Sequence, residues 1–150
     1  MDLNTFANAN AKAKANLVKL EPLPRSERGR INAYFNGRLA AFTGQFYWGY
    51  QDINNDRVLA GDVVLESGRK DIFAINFPLD LEGPDHAIGE YDSGLPWVYL
   101  MSTSVSTTGR IWSFKWEREI IIQGAFECQL EGFESIAVTG GTFYMNCPTL

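Results

Sequence analysis

The sequence predicts an all-β protein, a single antiparallel barrel or flattened sandwich of about eight strands. The first observation is the stretch from Trp112 to Leu130, where even-numbered residues are mostly apolar and odd-numbered residues mostly polar. Side chains on a β-strand point to opposite faces in turn, so this pattern predicts a sheet with one buried face and one solvent face. The second observation is that other segments alternate similarly and are joined by short turns. We favour a barrel because closure removes the exposed edges of such strands.

Composition places the chain among ordinary globular proteins. It has 150 residues, of which 45% are hydrophobic and 21% charged, enough for one domain with its own core. No apolar stretch is long enough to span a bilayer, and the N-terminus lacks the charged and apolar regions of a secretory signal. We therefore expect a cytoplasmic protein that does not act at a membrane.

The N-terminal part differs from the rest in composition. Residues 1–24 are interpreted as a basic arm and linker, and residues 25–150 as the β-barrel domain. Thr5–Lys19 has helix propensity but few apolar residues, so it is either a short helix or a disordered arm. Glu21–Pro24 reads as a linker because its prolines interrupt a helix. Little of the core depends on this arm, so a truncated chain starting at Arg25 is expected to fold.

Charge is unevenly distributed along the chain. Residues 1–38 hold seven Lys and Arg against three acidic residues, although the whole chain has a net charge of −5. One interpretation is that the arm grips nucleic acid or an acidic partner. The other is that it lies on its own acidic body or on that of a neighbouring copy. The negative charge of the body repels phosphate, so nucleic acid is the less favoured partner.

The turns divide the chain into a series of strands. Asn36–Gly37 predicts a two-residue hairpin with positive φ at both residues. A long loop is expected from Asp80 to Pro96, and Gly140–Gly141 is expected to separate the last two strands. The expected strands are 31–35, 40–50, 58–66, 69–79, 97–105, 112–130, 133–138 and 143–147.

Arg118 is the one charged residue in the apolar phase of 112–130. If it faces inward, it needs a partner or a ligand, because an unpaired buried cation costs several kcal/mol. The alternative, which we favour, is that Glu117–Glu119 is a solvent-exposed bend between two strands. Under the first interpretation Arg118 is a candidate ligand-binding residue.

Four tryptophans are the other candidate ligand-binding residues. They could form a stacking platform for a sugar, a base or an apolar molecule. Their predicted positions on the buried face favour a role in the core instead. They are Trp48, Trp97, Trp112 and Trp116.

Residues typical of catalytic and metal sites are scarce. His86 is the only histidine, and it lies in the long loop among carboxylates, either as a general acid or base or as part of a solvated acidic loop. Asp52–Asp56 resembles the opening of a calcium loop, but Arg57 and Val63 replace its glycine and glutamate, so we interpret it as a turn. No metal or cofactor is expected, and no catalytic residue is assigned.

Two cysteines, Cys128 and Cys147, lie in predicted strands. The favoured interpretation is two reduced, buried thiols, and the alternative is a disulfide that ties down the last strand.

Two segments near the C-terminus carry a family resemblance. Ile120–Phe126 is an apolar strand containing a glycine, and Ile136–Thr142 contains the motif V-T-G-G-T. Together they resemble the closing strands of allene oxide cyclases and dirigent proteins, although Phe143 stands where those families have a further glycine. The resemblance implies an eight-stranded, cofactor-free barrel with an apolar cavity, in families whose members are often dimers or trimers. No catalytic position of these families can be matched in this chain.

Three function classes follow from these observations. The favoured one is a non-enzymatic, calycin-like binding barrel that holds an apolar or partly polar small molecule or a protein partner. The second is a cofactor-free barrel enzyme of the allene oxide cyclase or dirigent type, which requires an enclosed cavity. The third is a single-stranded nucleic-acid binder that uses the basic arm. Assembly into a homo-oligomer is compatible with the first two.

Overall fold

The computed structural model describes residues 21–22, 29–50, 56–117 and 120–146, and these residues form β-strands and turns without a helix. No helix in this part of the chain could therefore cross a membrane. The strands are β1 (Glu21–Pro22), β2 (Gly29–Phe35), β3 (Arg38–Leu39), β4 (Ala41–Tyr50), β5 (Arg57–Val64), β6 (Lys70–Phe77), β7 (His86–Ile88), β8 (Trp97–Leu100), β9 (Ser104–Glu117), β10 (Ile121–Gly132) and β11 (Ile136–Asn146).

All of these strands belong to one antiparallel sheet that is nearly closed into a barrel, which confirms the predicted fold class. Ten strands follow the path β1-β4-β5-β6-β8-β9-β10-β11-β2-β3, and β7 pairs with β9 outside this path. The sheet closes where β3 and β4 follow one another along the chain, and there the Ala40 amide donates to the Ala33 carbonyl at 2.9 Å. The expected number of about eight strands was too low, because β1, β3 and β7 have only two or three residues and show no periodicity.

The hairpin between β2 and β3 confirms the predicted turn. Asn36 and Gly37 have φ of 50° and 81°, the positive values that a two-residue turn of this type requires. Asn36 also joins the turn to β11, because its Oδ1 accepts a hydrogen bond from the Ala137 amide at 2.8 Å. The backbone amide of Asn36 also donates a hydrogen bond to the Ala137 carbonyl, at 2.9 Å.

The barrel interior is filled by apolar side chains, among which phenylalanines form a continuous row. The Phe73 ring lies 5.8 Å from that of Phe42 and 6.0 Å from that of Phe126. Phe143 continues the row, with ring centroids 6.0 Å from Phe126 and 5.2 Å from Phe77. Phe73, Ile75 and Phe77, alternate apolar residues of the expected strand 69–79, belong to this core.

A second apolar cluster lies on the outer side of the sheet. Its members come from β5, β6, β8 and the start of β9, and each has an exposed fraction of 2% or less. We call it the outer cluster: Val58, Ala60, Ala74, Trp97, Tyr99 and Val105. Strands β5, β6 and β8 are therefore buried on both faces.

The segment 112–130 contains parts of two strands, as the interpretation of Glu117–Glu119 as a bend predicts. Glu117 pairs with Ile121, and the Ile120 amide donates to the Glu117 carbonyl at 2.9 Å, so the chain reverses there. A register shift accompanies Ser113, whose φ is 53°, and moves Trp112 to the outer face. The expectation that Trp112 shares a face with Phe114 was wrong, because a bulge breaks the period of two.

Two further expectations differ from the structure. Gly140–Gly141 lies within the continuous strand β11 rather than between two strands, and a Cβ on Gly141 would be 2.6 Å from the Phe126 ring. Glu21–Pro22, expected in a linker, pairs with β4. Residues 1–20 and 23–28 lie outside the described residues, so the division at residues 24 and 25 stays a prediction.

Candidate ligand site at the turn end of the barrel

A cleft opens at one end of the barrel, and we call it the turn-end cleft. It lies between three turns, those joining β2 to β3, β5 to β6 and β10 to β11. Its volume is about 750 Å³. Apolar side chains from all three regions line it: Phe35, Leu39, Ala40, Val64, Leu65 and Ile136.

The floor of the cleft is continuous with the barrel core. Phe35 and Leu65 are partly buried and pack against the core, and the Phe35 ring lies 5.5 Å from that of Phe73. Ile136 is 5% exposed. Leu39, in contrast, is 67% exposed at the opening of the cleft. A molecule in the cleft can therefore cover apolar surface that is now in contact with water.

The rim carries charges of both signs. Arg38 pairs with Glu66, and Nη2 of Arg69 lies 3.7 Å from Oε1 of Glu134. These side chains are about half to three-quarters exposed, so solvent screens the pairs and they contribute little to stability. Two cations and two anions leave the rim without a net charge.

The tryptophans predicted as a platform occupy different environments. Trp48 is buried inside the barrel, where the partly buried Trp116 also packs, 6.3 Å from the Phe77 ring. Trp97 belongs to the outer cluster. Trp112 lies on the outer face of β9, with the Arg110 guanidinium 4.9 Å from its ring centroid. The structure therefore does not bring the four side chains to one surface.

Arg118, the fifth predicted ligand-binding residue, lies outside the described residues, as does Glu119. The strands on either side of them pair with each other through Glu117 and Ile121. Its predicted role in binding a ligand stays a prediction.

The long loop is held by local contacts that involve His86. Its Nε2 lies 2.9 Å from the Gly83 carbonyl oxygen, and its ring meets the Phe114 ring edge-on at 5.1 Å. Asp56, from the segment resembling a calcium loop, accepts a hydrogen bond from Nδ2 of Asn76 at 2.8 Å. Among residues 21–22, 29–50, 56–117 and 120–146, no three His, Cys, Asp or Glu side chains are grouped so as to hold a metal ion.

Among the groups that the structure describes, two have shifted pKa values. Burial, together with the charge of Glu127, raises the pKa of the Cys128 thiol to about 12, so it is a neutral, free thiol at physiological pH. Partial burial and a hydrogen bond to Asp62 raise the pKa of Tyr47. Cys147 lies outside the described residues.

Sequence reasoning overlooked the turn-end cleft because its residues come from turns that are far apart in the chain. Arg38, Glu66 and Ser135 form no motif. The one local signal is Leu39, a large apolar residue two positions after the glycine of a tight turn, where a polar residue is usual.

Comparison of the chain with protein-family models, curated proteins and solved structures finds no match. The resemblance of residues 120–142 to allene oxide cyclases and dirigent proteins stays a prediction.

Proposed function

We propose that this chain is a non-enzymatic binding protein that takes a small, partly polar molecule into the turn-end cleft. The observation that carries the proposal is the combination of size and lining in this cleft. Its volume of about 750 Å³ falls within the range of small-molecule sites, which are mainly apolar with a few polar groups for orientation.

The cleft suits a ligand better than the described part of the interior does. Phenylalanine rings from Phe42 to Phe77 occupy the centre of the barrel, with centroids 5.2 to 6.0 Å apart between neighbours in the row. A ligand there would have to displace packed side chains, which costs free energy. In the cleft it meets Leu39, which is already exposed, and loses no packing.

The rim favours a particular class of ligand. Because the Arg38–Glu66 and Arg69–Glu134 pairs cancel in charge, the opening does not attract a polyanion or a polycation. An uncharged or zwitterionic molecule with an apolar body can place that body against Phe35 and Leu65 and direct its polar end to the rim. The ligand is therefore expected to be amphipathic and without a large net charge.

A titration with Nile red, a neutral apolar dye, tests the site. In Leu39→Glu a carboxylate replaces the apolar side chain at the opening, so the dye should bind about tenfold more weakly, a loss of about 1.4 kcal/mol. The matched control is Ile120→Glu, because Ile120 is 58% exposed and does not line the cleft. The control should bind the dye like the parent chain.

Equal dye affinity in the parent chain and in Leu39→Glu would exclude the cleft as the site. Native mass spectrometry of the purified parent chain should also show a co-purified small molecule that Leu39→Glu has lost.

A protein partner is the second candidate, because Phe133 is 69% exposed in the turn next to Glu134 and Ser135 of the cleft. If a second copy binds here, sedimentation velocity should show association at high concentration, and Phe133→Glu should abolish it. Concentration-independent sedimentation of the parent chain would exclude a homo-oligomer formed through this end.

A further inference from the structure

We propose that the end of the barrel at which the cleft opens docks on the surface of a zwitterionic phospholipid bilayer, through Leu39 and Phe133. We call these two side chains the apolar tips. Docking rests on the proposed function in one respect, because it makes the bilayer the source of the ligand, which is then a lipid without a large net charge. The sequence-based expectation of no action at a membrane considered only segments that span a bilayer or direct secretion, and surface docking needs neither.

The apolar tips are the most exposed large apolar side chains among the described residues. Phe133 has an exposed fraction of 69% and Leu39 of 67%. Single apolar residues on a surface are ordinary, but these two lie at the same end of the barrel. The turns that carry them are adjacent, because Nδ2 of Asn36 donates to the Ser135 carbonyl at 3.4 Å. Both tips therefore lie beside the turn-end cleft, which Leu39 and Ser135 line.

The backbone holds both tips in ordered structure. The Phe133 amide donates to the Thr103 carbonyl at 2.8 Å, which ties its turn to the turn between β8 and β9. Leu39 lies on β3, where it pairs with Tyr34. Docking therefore does not have to order these segments first, and little conformational entropy opposes it.

Tyr34 adds an aromatic ring that suits the headgroup region of a bilayer. It lies opposite Leu39 and is 44% exposed. Tyrosine is enriched at bilayer–water interfaces because it has an apolar ring and a polar hydroxyl. The face of such a ring also attracts the quaternary ammonium of a choline headgroup. Insertion of Leu39 would thus bring a favourable side chain to the bilayer surface.

The charges around the tips complement a zwitterionic headgroup. The rim of the cleft has no net charge, whereas the whole chain has a net charge of −5 and would be repelled by anionic lipids. The Arg69 and Glu134 side chains are about half exposed, with Nη2 and Oε1 3.7 Å apart. A guanidinium and a carboxylate so placed can bind the phosphate and the ammonium group of one headgroup.

The position of the cleft favours a bilayer over a protein partner. Leu39 is both a tip and a lining residue, and Phe35 and Leu65 continue the apolar surface inward to the core. On a bilayer, a lipid can pass into the cleft without exposing its acyl chains to water. A protein or a second copy seated on the tips would instead close the opening of the ligand site.

Co-flotation of the full chain with phosphatidylcholine vesicles tests the docking. The parent chain should float, and Phe133→Glu should lower the partition coefficient at least tenfold, because a carboxylate replaces the inserted ring. The matched control is Ile120→Glu. Ile120 is 58% exposed and precedes β10, whose other end leads into the turn that carries Phe133. The control lies at the opposite end of the barrel and should float like the parent chain.

Dye binding without vesicles separates docking from the ligand site. Phe133 does not line the cleft, so Phe133→Glu should bind Nile red like the parent chain, whereas Leu39→Glu should lose both activities. Nile red binding in a chain that does not float would overturn the docking alone. Flotation that depends on Phe133 in a chain that binds no Nile red would overturn the cleft as the ligand site alone.

A conservative variant covers the case in which Phe133→Glu unfolds. Phe133→Trp keeps an aromatic tip, so it should float at least as well as the parent chain. Its additional tryptophan emission should move to shorter wavelength when vesicles are added, as an indole that leaves water does. Unchanged emission, or equal losses in Phe133→Glu and Ile120→Glu, would overturn the proposal. Self-association that Phe133→Glu abolishes, in a parent chain that does not float, would overturn it in favour of a second copy.

Discussion

Strands β5, β6 and β8 are buried on both faces, whereas β2, β10 and β11 are buried on one face and largely open on the other. Both groups contribute inward side chains to the same barrel core. They differ only on the outer side, where the first group carries Ala60 and Ala74 and the second carries Glu127 and Thr142. The same sheet is therefore a middle layer in one half and a surface layer in the other.

The difference appears in the sequence as the presence or absence of alternation. On β10, Phe126 and Cys128 are buried while Glu127 between them is exposed. On β6, Phe73, Ala74 and Ile75 are all buried, and Trp97–Leu100 is apolar throughout. Continuous apolar runs are typical of strands covered on both sides. A run without alternation thus indicates a second layer, even in an antiparallel barrel.

The largest effect is expected from placing a charge on the outer side of each half. Ala74→Asp should lower the free energy of unfolding by about 3 kcal/mol or more, because it buries a carboxylate without a partner. The matched Ala125→Asp on the outer face of β10, opposite Trp112, should cost less than about 1 kcal/mol, because Ala125 is only partly buried. Urea unfolding measures both. Equal losses would show that both halves are covered to the same degree.

A smaller effect is expected at the hairpin between β2 and β3, where the half of the sheet that is buried on one face begins. Gly37→Val should lower the free energy of unfolding by about 1 kcal/mol or more, because a β-branched residue is strained at φ of 81°. Nothing lies within 4 Å of a Cβ at this position, so the loss comes from the backbone rather than from a clash. Thermal melting measures it, and an unchanged melting temperature would contradict the assigned turn.

The burial of the inner face of β10 can be tested through Cys128. Its pKa is raised to about 12 in the folded state, whereas an unfolded thiol titrates near about 8.5. Between these values the unfolded chain loses the proton that the folded chain keeps, so stability should fall as the pH rises through this range. Cys128→Ala should show a shallower decline. A Cys128 thiol that reacts with iodoacetamide in the folded chain at neutral pH would contradict a buried inner face.

The smallest effect is expected at the connection between β9 and β10. Because Glu117 pairs with Ile121 across a short reversal, Arg118→Met should change the free energy of unfolding by less than about 0.5 kcal/mol and leave Nile red affinity unchanged. A loss of a few kcal/mol would instead indicate a buried ion pair. Reduced dye affinity at full stability would support Arg118 as a ligand-binding residue.

Most of the fold was predictable because alternation and turn chemistry are local. The Asn36–Gly37 hairpin and the inward residues of β6 follow directly from them. The bulge at Ser113 was not predictable, because a residue with positive φ in mid-strand leaves no sign in the apolar pattern, and the outward position of Trp112 depends on it. The outer cluster was not predicted from the sequence. Trp97 and Tyr99 alternate with a period of two, as residues on the core face of a strand do, but in the structure both face away from the core.

The candidate site was less predictable than the fold. Phe35, Leu65 and Ile136 meet only through the closure of the sheet, and closure depends on pairings between distant strands. The tryptophans were chosen by residue type, but packing with neighbours such as Phe77 and Tyr99 determines where each of them lies.

The bonds that join the β2–β3 turn to β11 have a consequence for how the chain reaches this fold. Asn36 and Ala137, which they connect, are 101 residues apart in the chain, and β2 pairs with the last strand. Such distant pairings form slowly, because a long loop must close before any contact compensates for the lost entropy. During synthesis β2 emerges among the first strands and waits for a partner made last. Its unpaired edge stays available to other nascent chains until β11 arrives, so aggregation competes with barrel closure.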